Sequence, residues 1–140
     1  MLVGERAEEV RVLLERLAAW AGRRPDVCAL ALVGSWARGA AGPTSDVDVV
    51  LLTTEPWRYV DHVDWLDDVG AVHLLQTRSW GAVTERRVAL PSGLEVEFGI
   101  GSPSWASTDP VDPGTRRVVT DGLGVLHDPD GALARLVAAC

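Results

Sequence analysis

Lysine is absent from the 140-residue chain, whose 13 basic residues are all arginine. We read this as the compositional bias of GC-rich coding rather than a functional need. Positive charge is also scarce, since 20 acidic residues leave a net charge of −7. A protein that grips duplex nucleic acid through many phosphates needs the opposite sign, so nucleic acid is not an expected partner. Cysteine is limited to Cys28, inside an apolar run, and Cys140, the last residue. Neither has a His or Cys at metal-ligand spacing, which argues against a disulfide scaffold or thiolate metal site and for a reducing, cytoplasmic setting. Long hydrophobic runs are missing too. The longest uncharged apolar stretch, Val27 to Trp36, is far too short to cross a bilayer. The opening Met-Leu-Val-Gly-Glu-Arg-Ala-Glu-Glu has no basic segment leading into an apolar one, so no secretory signal is expected. There is no internal repeat, low-complexity tract or linker.

What is present suits one globular domain over residues 1–140. The composition is 47% hydrophobic and 24% charged, and a chain of this length buries roughly two-thirds of its unfolded surface. Apolar residues at Ala7, Val10, Leu14, Leu17 and Ala21 predict an amphipathic helix over 5–21, ended by Gly22 and Pro25. The continuous apolar run 27–33 predicts a strand covered on both faces. Residues 34–44, rich in glycine, predict a turn with room for a short helix, and 46–53 predict a second central strand. Thr54 and Pro56 predict a helix over 56–69 facing inward with Trp57, Val60, Val63 and Leu66. Strands are expected near 71–77 and 83–90, joined around Ser79 to Gly81. After a turn at Pro91-Ser92-Gly93, the stretch Leu94 to Ile100 alternates, with Leu94, Val96, Phe98 and Ile100 on one face and Glu95 and Glu97 on the other. A loop over 101–114, a short strand within 116–126 and a helix over 130–138 complete an α/β or α+β fold with a mixed sheet.

The chemistry concentrates in Gly34-Ser35-Trp36-Ala37-Arg38-Gly39 and, after a short turn, Ser45-Asp46-Val47-Asp48. A strand ending in Gly-Ser and a glycine turn lets backbone amides approach an anion, and a helix starting there would add its positive end. The Ser35 hydroxyl and Arg38 guanidinium suit phosphate oxygens. Asp46 and Asp48, two apart on a strand, face the same way with Cα atoms roughly 6–7 Å apart. Their repulsion, about 2–3 kcal/mol at an effective dielectric of 20, calls for a cation. A hard divalent ion such as Mg²⁺ meets that need.

The pattern Gly34-Ser35-x-x-Arg38-Gly39 with Ser45-Asp46-x-Asp48 resembles the signature of the polymerase-beta-like nucleotidyltransferase superfamily. It is most similar to the short bacterial members of the minimal and aminoglycoside nucleotidyltransferase type. The motif covers about 15 residues, and flanking elements extend the similarity over most of positions 5–100. The resemblance implies that Gly34 and Ser35, with Arg38 and Ser45 beside them, hold a nucleoside triphosphate, ATP being the expected one. It implies that Asp46 and Asp48 bind two Mg²⁺ ions with a third carboxylate from a neighbouring strand. A nucleoside monophosphate would pass to a hydroxyl acceptor with loss of pyrophosphate. Glu97 is the chosen third carboxylate, because it lies further from the 91–93 turn than the alternative, Glu95; by analogy Glu97 could also act as general base. The family more often has aspartate there.

Other features carry less. Asp61, His62, Asp64, Asp67 and Asp68 read as a solvated helix face, and His73 and His127 stand alone. Trp36 and Trp105 are candidates for stacking on a base, against ordinary packing. Arg86-Arg87 and Arg116-Arg117 are candidates for positive charge near a triphosphate, against the ordinary reading of exposed solubilising pairs. The acceptor is a small molecule or a protein, and a homodimer or a partner protein would supply the missing wall of its pocket. Two other readings stay open: an antitoxin-like module that binds or nucleotidylates a helical toxin, and a catalytically silent nucleotide-binding domain.

Overall fold

A computed structural model describes residues 3–140. Its elements run α1 (Val3–Gly22), β1 (Val27–Val33), α2 (Gly34–Ala37), β2 (Val47–Thr53), α3 (Trp57–Val60), β3 (His73–Trp80), β4 (Val83–Ala89), β5 (Glu95–Gly101), α4 (Pro113–Asp121), β6 (Gly124–His127) and α5 (Ala132–Ala139). The six strands form one mixed sheet in the order β3-β4-β5-β2-β1-β6. β2 and β5 run parallel, and every other pairing is antiparallel.

Strand alternation divides the side chains between two faces. On one face Leu30 and Leu32 of β1, Val47, Val49 and Leu51 of β2, and Val96, Phe98 and Ile100 of β5 pack against α1. The helix buries Val10, Leu13, Leu17, Trp20 and Ala21 there, a three-and-four spacing. Ala7 of the expected apolar stripe is instead exposed and Leu14 only half-buried, so the stripe is rotated toward Leu13 and Trp20. Trp20, Tyr59, Trp65 and Phe98 close this layer as an aromatic cluster, with neighbouring ring centroids 5.0–5.9 Å apart. On the other face Ala29, Ala31, Val50 and Leu52 pack beneath Val119 of α4 and Leu133 and Leu136 of α5.

Two sequence expectations fail. The helix expected over 56–69 is broken into the single turn α3 and a 3-10 turn at Asp64–Leu66, leaving Trp57 and Val63 exposed while Tyr59 and Trp65 are buried. The reason is competition for carbonyls. The oxygens of Tyr59 and His62 accept from the Arg86 guanidinium at 2.9 and 2.6 Å and from the Trp65 indole at 3.2 and 3.1 Å, so they are unavailable to a continuing helix. The strand expected within 116–126 is mostly α4, leaving only β6 from Gly124. Asp112 caps α4 by accepting from the amides of Gly114 and Thr115 at 2.9 and 3.1 Å, with Pro113 in the first turn. The hairpin of β3 and β4 also lies slightly later than expected, turning at Gly81-Ala82.

Candidate functional site

β1 ends at Val33, and the chain turns at once through Gly34 into the single helical turn α2. Gly34 has φ +74°, and a Cβ built on it would overlap the Asp48 carboxylate. The glycine is therefore required twice, for its backbone angle and for the close approach of Asp48. The loop returns through Ser45, whose hydroxyl accepts from the Gly42 amide at 2.9 Å and whose carbonyl accepts from the Trp36 indole at 3.4 Å. Trp36 is half-buried against the core, so packing and this bond account for it rather than a stacking platform. Ser45 likewise serves the turn. The Arg38 side chain is exposed at the end of α2 and borders the cavity described below.

β2 then places Asp48 on the side of the sheet opposite α1. The parallel pairing puts Asp48 directly beside Glu97 of β5, and the antiparallel pairing puts Glu97 beside Arg87 of β4. Adjacent strands stand about 5 Å apart, so the three side chains are immediate neighbours. Arg87 organises them. Its guanidinium donates to Asp46, to Glu97 at 2.8 Å and to Glu95 at 3.3 Å. Glu85, on the same face of β4, stands on the other side of Glu97. Burial pushes the Glu97 carboxyl up to about 7, and Glu85 adds to the shift, outweighing the pull of Arg87. Burial, then the charge of Asp46, also holds the Asp48 carboxyl above its usual value. The same carboxylates hold the Arg87 guanidinium above its ordinary value, Asp46 most strongly.

Where α4 and α5 leave the sheet uncovered, this face lines a cavity of about 750 Å³, a size that suits a nucleotide. Gly34, Arg38, Asp48, Glu85, Glu97 and Trp105 are among its walls. Of the residues the motif singles out, Gly34, Arg38, Asp48 and Glu97 are thus brought to one cavity. Asp46 joins them through Arg87, and Ser35 is next to Gly34 at the start of α2. Glu95 is more exposed than Glu97, with 40% against 21% of its side chain accessible, and it does not line the cavity.

Asp46, Asp48 and Glu97 could hold divalent metal: they are hard oxygen donors, and two of them already converge on a cation, the Arg87 guanidinium. Among the described residues no three His, Cys, Asp or Glu side chains yet share a point at metal-holding distance. Reading the sequence missed Arg87 and Glu85. The Arg86-Arg87 pair is not solvated: Arg86 is buried and Arg87 sits among the carboxylates. The alternation of β4 held a signal, because Arg86 shares a face with Val88 while Glu85 and Arg87 share the other.

This sheet, its flanking helices and the Gly-Ser turn facing Asp48 define a nucleotidyltransferase fold; Asp46, expected on the same strand, lies just before β2 begins at Val47. Residues 13–77 match the family model for the nucleotidyltransferase domain. The matched stretch is just under half of the chain, which over those residues is similar to that family. The matched segment includes Gly34, Asp46 and Asp48 and ends before Arg87 and Glu97. Among solved structures, the Cid1 poly(U) polymerase superposes with a TM-score of 0.53 at 19% identity over 71% of this chain. A cytoplasmic RNA terminal U-transferase does so with 0.54 at 20% identity over the same share. The chain spans about a third of the length of those structures, 31% and 30%. No curated protein matches it.

Proposed function

We propose that the protein transfers a nucleoside monophosphate from a nucleoside triphosphate, ATP being the first donor to test, to a hydroxyl acceptor with release of pyrophosphate. The observation that supports this reading most is the pairing of Asp48 with Glu97 across β2 and β5, facing a nucleotide-sized cavity that begins at the Gly34-Ser35 turn. Asp46, Asp48 and Glu97 would hold two Mg²⁺ ions, which when bound supply Lewis-acid polarisation of the acceptor and neutralise charge on the leaving pyrophosphate. Ser35 and Arg38 would orient the triphosphate, one with a hydroxyl and the other with a guanidinium fork. By analogy with the superfamily that the motif resembles, Glu97, directly beside Asp48, would also accept the proton of the acceptor hydroxyl. The cavity floor, a paired sheet face, keeps water from one side of the reacting phosphate.

Purified protein incubated with each α-labelled NTP, Mg²⁺ and cell lysate should move label into a small-molecule or a protein fraction. Label in no fraction under any condition overturns the reading in favour of a silent nucleotide-binding domain. A second reading, a module that binds a helical toxin partner, draws support from β3. This edge strand has all eight residues exposed, Leu74, Leu75 and Trp80 among them. Label appearing in one helical partner protein would join the two readings.

A further inference from the structure

We infer that Arg87 is a built-in counter-cation that competes with divalent metal for Asp46 and Glu97, so that metal loading requires its guanidinium to move onto Glu95. This rests on the metal-site reading above and deepens it. Arg87 lies on β4 opposite Glu97 and donates to Asp46, Glu97 and Glu95, while Asp48 feels its charge without accepting a hydrogen bond from it. Two of the three proposed metal ligands are therefore bonded to the same guanidinium. A divalent ion and a guanidinium cannot share those oxygens, since a double and a single positive charge held that close repel each other strongly. The third partner resolves the conflict. Glu95 is the more exposed carboxylate and stands off the cavity, so the arginine can keep one ion pair while releasing the other two. This gives Glu95 a distinct part and assigns the latch to a residue that the signature motif does not contain.

The consequence is that the protein's own charge sets its metal affinity. Without metal, Arg87 holds the carboxylates together; with metal, it is displaced. Removing it should loosen the first state and favour the second. Binding of Mn²⁺, the paramagnetic probe, is measured without nucleotide by electron paramagnetic resonance on wild type, Arg87→Met, Arg87→Lys and Asp48→Asn, with thermal unfolding run on each with and without the ion. Arg87→Met should bind Mn²⁺ at least about tenfold more tightly than wild type, by removal of the like charge. It should melt lower without the ion and show a larger ion-induced rise. Arg87→Lys, whose compact ammonium cannot bridge three carboxylates, should lie between the two and serves if Arg87→Met does not fold. A merely structural Arg87 would lower stability and leave Mn²⁺ affinity unchanged or weaker, and that result overturns the inference. Asp48→Asn keeps the two failures apart. If it weakens Mn²⁺ binding while the Arg87 variants bind no tighter, the metal site stands and the latch falls. If wild type and every variant bind no Mn²⁺, both fall.

Discussion

Replacing Gly34 with alanine tests the point where turn and carboxylate meet. Gly34 and Gly39 both lie in the left-handed region, at φ +74° and +71°. They differ in surroundings: a Cβ at 34 would run into the Asp48 carboxylate, with Asp48 Cγ at 3.1 Å and its Cβ at 3.2 Å, whereas nothing lies within 4 Å of one at 39. The backbone cost of alanine in that region, about 1–2 kcal/mol, applies to both. It is partly offset by the lower entropy of the unfolded alanine chain, about 0.4–1 kcal/mol. Gly39→Ala should therefore destabilise by about 0–1.6 kcal/mol. At Gly34 overpacking adds about 1–3 kcal/mol, because Asp48 belongs to a strand paired on both sides and cannot retreat freely. At about 3–4 °C per kcal/mol for a chain of this size, Gly34→Ala should lower the melting temperature by about 3–18 °C. Gly39→Ala should lower it by no more than about 6 °C. Circular dichroism melts of both variants give the comparison. The same pair in an Asp48→Ala background removes the carboxylate and keeps only the Cβ contact at 3.2 Å, so there the difference between the two substitutions should shrink. Equal melting temperatures for Gly34→Ala and Gly39→Ala in the wild-type background would refute the reasoning.

Asp48→Asn keeps the shape of the side chain and removes one charge, so nucleotidyl transfer should fall by at least about a hundredfold, about 2.7 kcal/mol of transition-state stabilisation. Metal-free stability should hold or rise, because burial and Asp46 already disfavour this carboxylate; Asp61→Asn, on the exposed stretch, is the control, and an unfolded Asp48→Asn or unchanged transfer speaks against the assignment. Tyr59→Phe removes the hydroxyl that donates to Asp26 at 2.6 Å and accepts from Arg24 at 2.8 Å, at a cost of about 1–2 kcal/mol in chemical denaturation. Burial pushes the Asp26 carboxyl up, but its bonds from Tyr59 and Thr53 outweigh burial and hold it below its usual value. That stabilisation is therefore present above the unfolded value of about 4 and is lost as pH falls through the lower folded one. The gap between wild type and Tyr59→Phe should narrow as the pH falls below about 4, and a gap constant from pH 7 to pH 2 contradicts the sign.

The elements that position the site were legible because local pattern decides them. The unbroken apolar run of β1, the alternation of β5 and Asp48 among the valines of β2 all record which face of a strand meets the core. The helix expected over 56–69 was not legible, because its failure depends on Arg86, more than twenty residues further on, taking the carbonyls of Tyr59 and His62. α4 was misread although Asp112 and Pro113 offered a cap and a first-turn proline. Arg87 was missed for another reason. A charged pair on a strand places one member inward and one outward, and which cluster the outward one joins depends on the register with β5, which no local window contains.

That register binds the core to the chemistry. Val47 pairs with Val96 and Val49 with Phe98, and the same parallel ladder pairs Asp48 with Glu97 between them. Side chains alternate with a period of two, so a slip of β5 by one residue would turn Val96, Phe98 and Ile100 toward the cavity and bury Glu95 and Glu97 among leucines and tryptophans. Val96, Phe98 and Ile100 are each at most 2% exposed, and fully burying side chains of this kind is worth about 1.5–3 kcal/mol apiece. Ionised carboxylates in their place would cost several kcal/mol more. The juxtaposition of Asp48 and Glu97 does not need to stabilise itself, and in the absence of a cation it could not. It is imposed by the hydrophobic residues that separate the acids along each strand. Arg87, reaching from the third strand, then offsets the repulsion that the core has created.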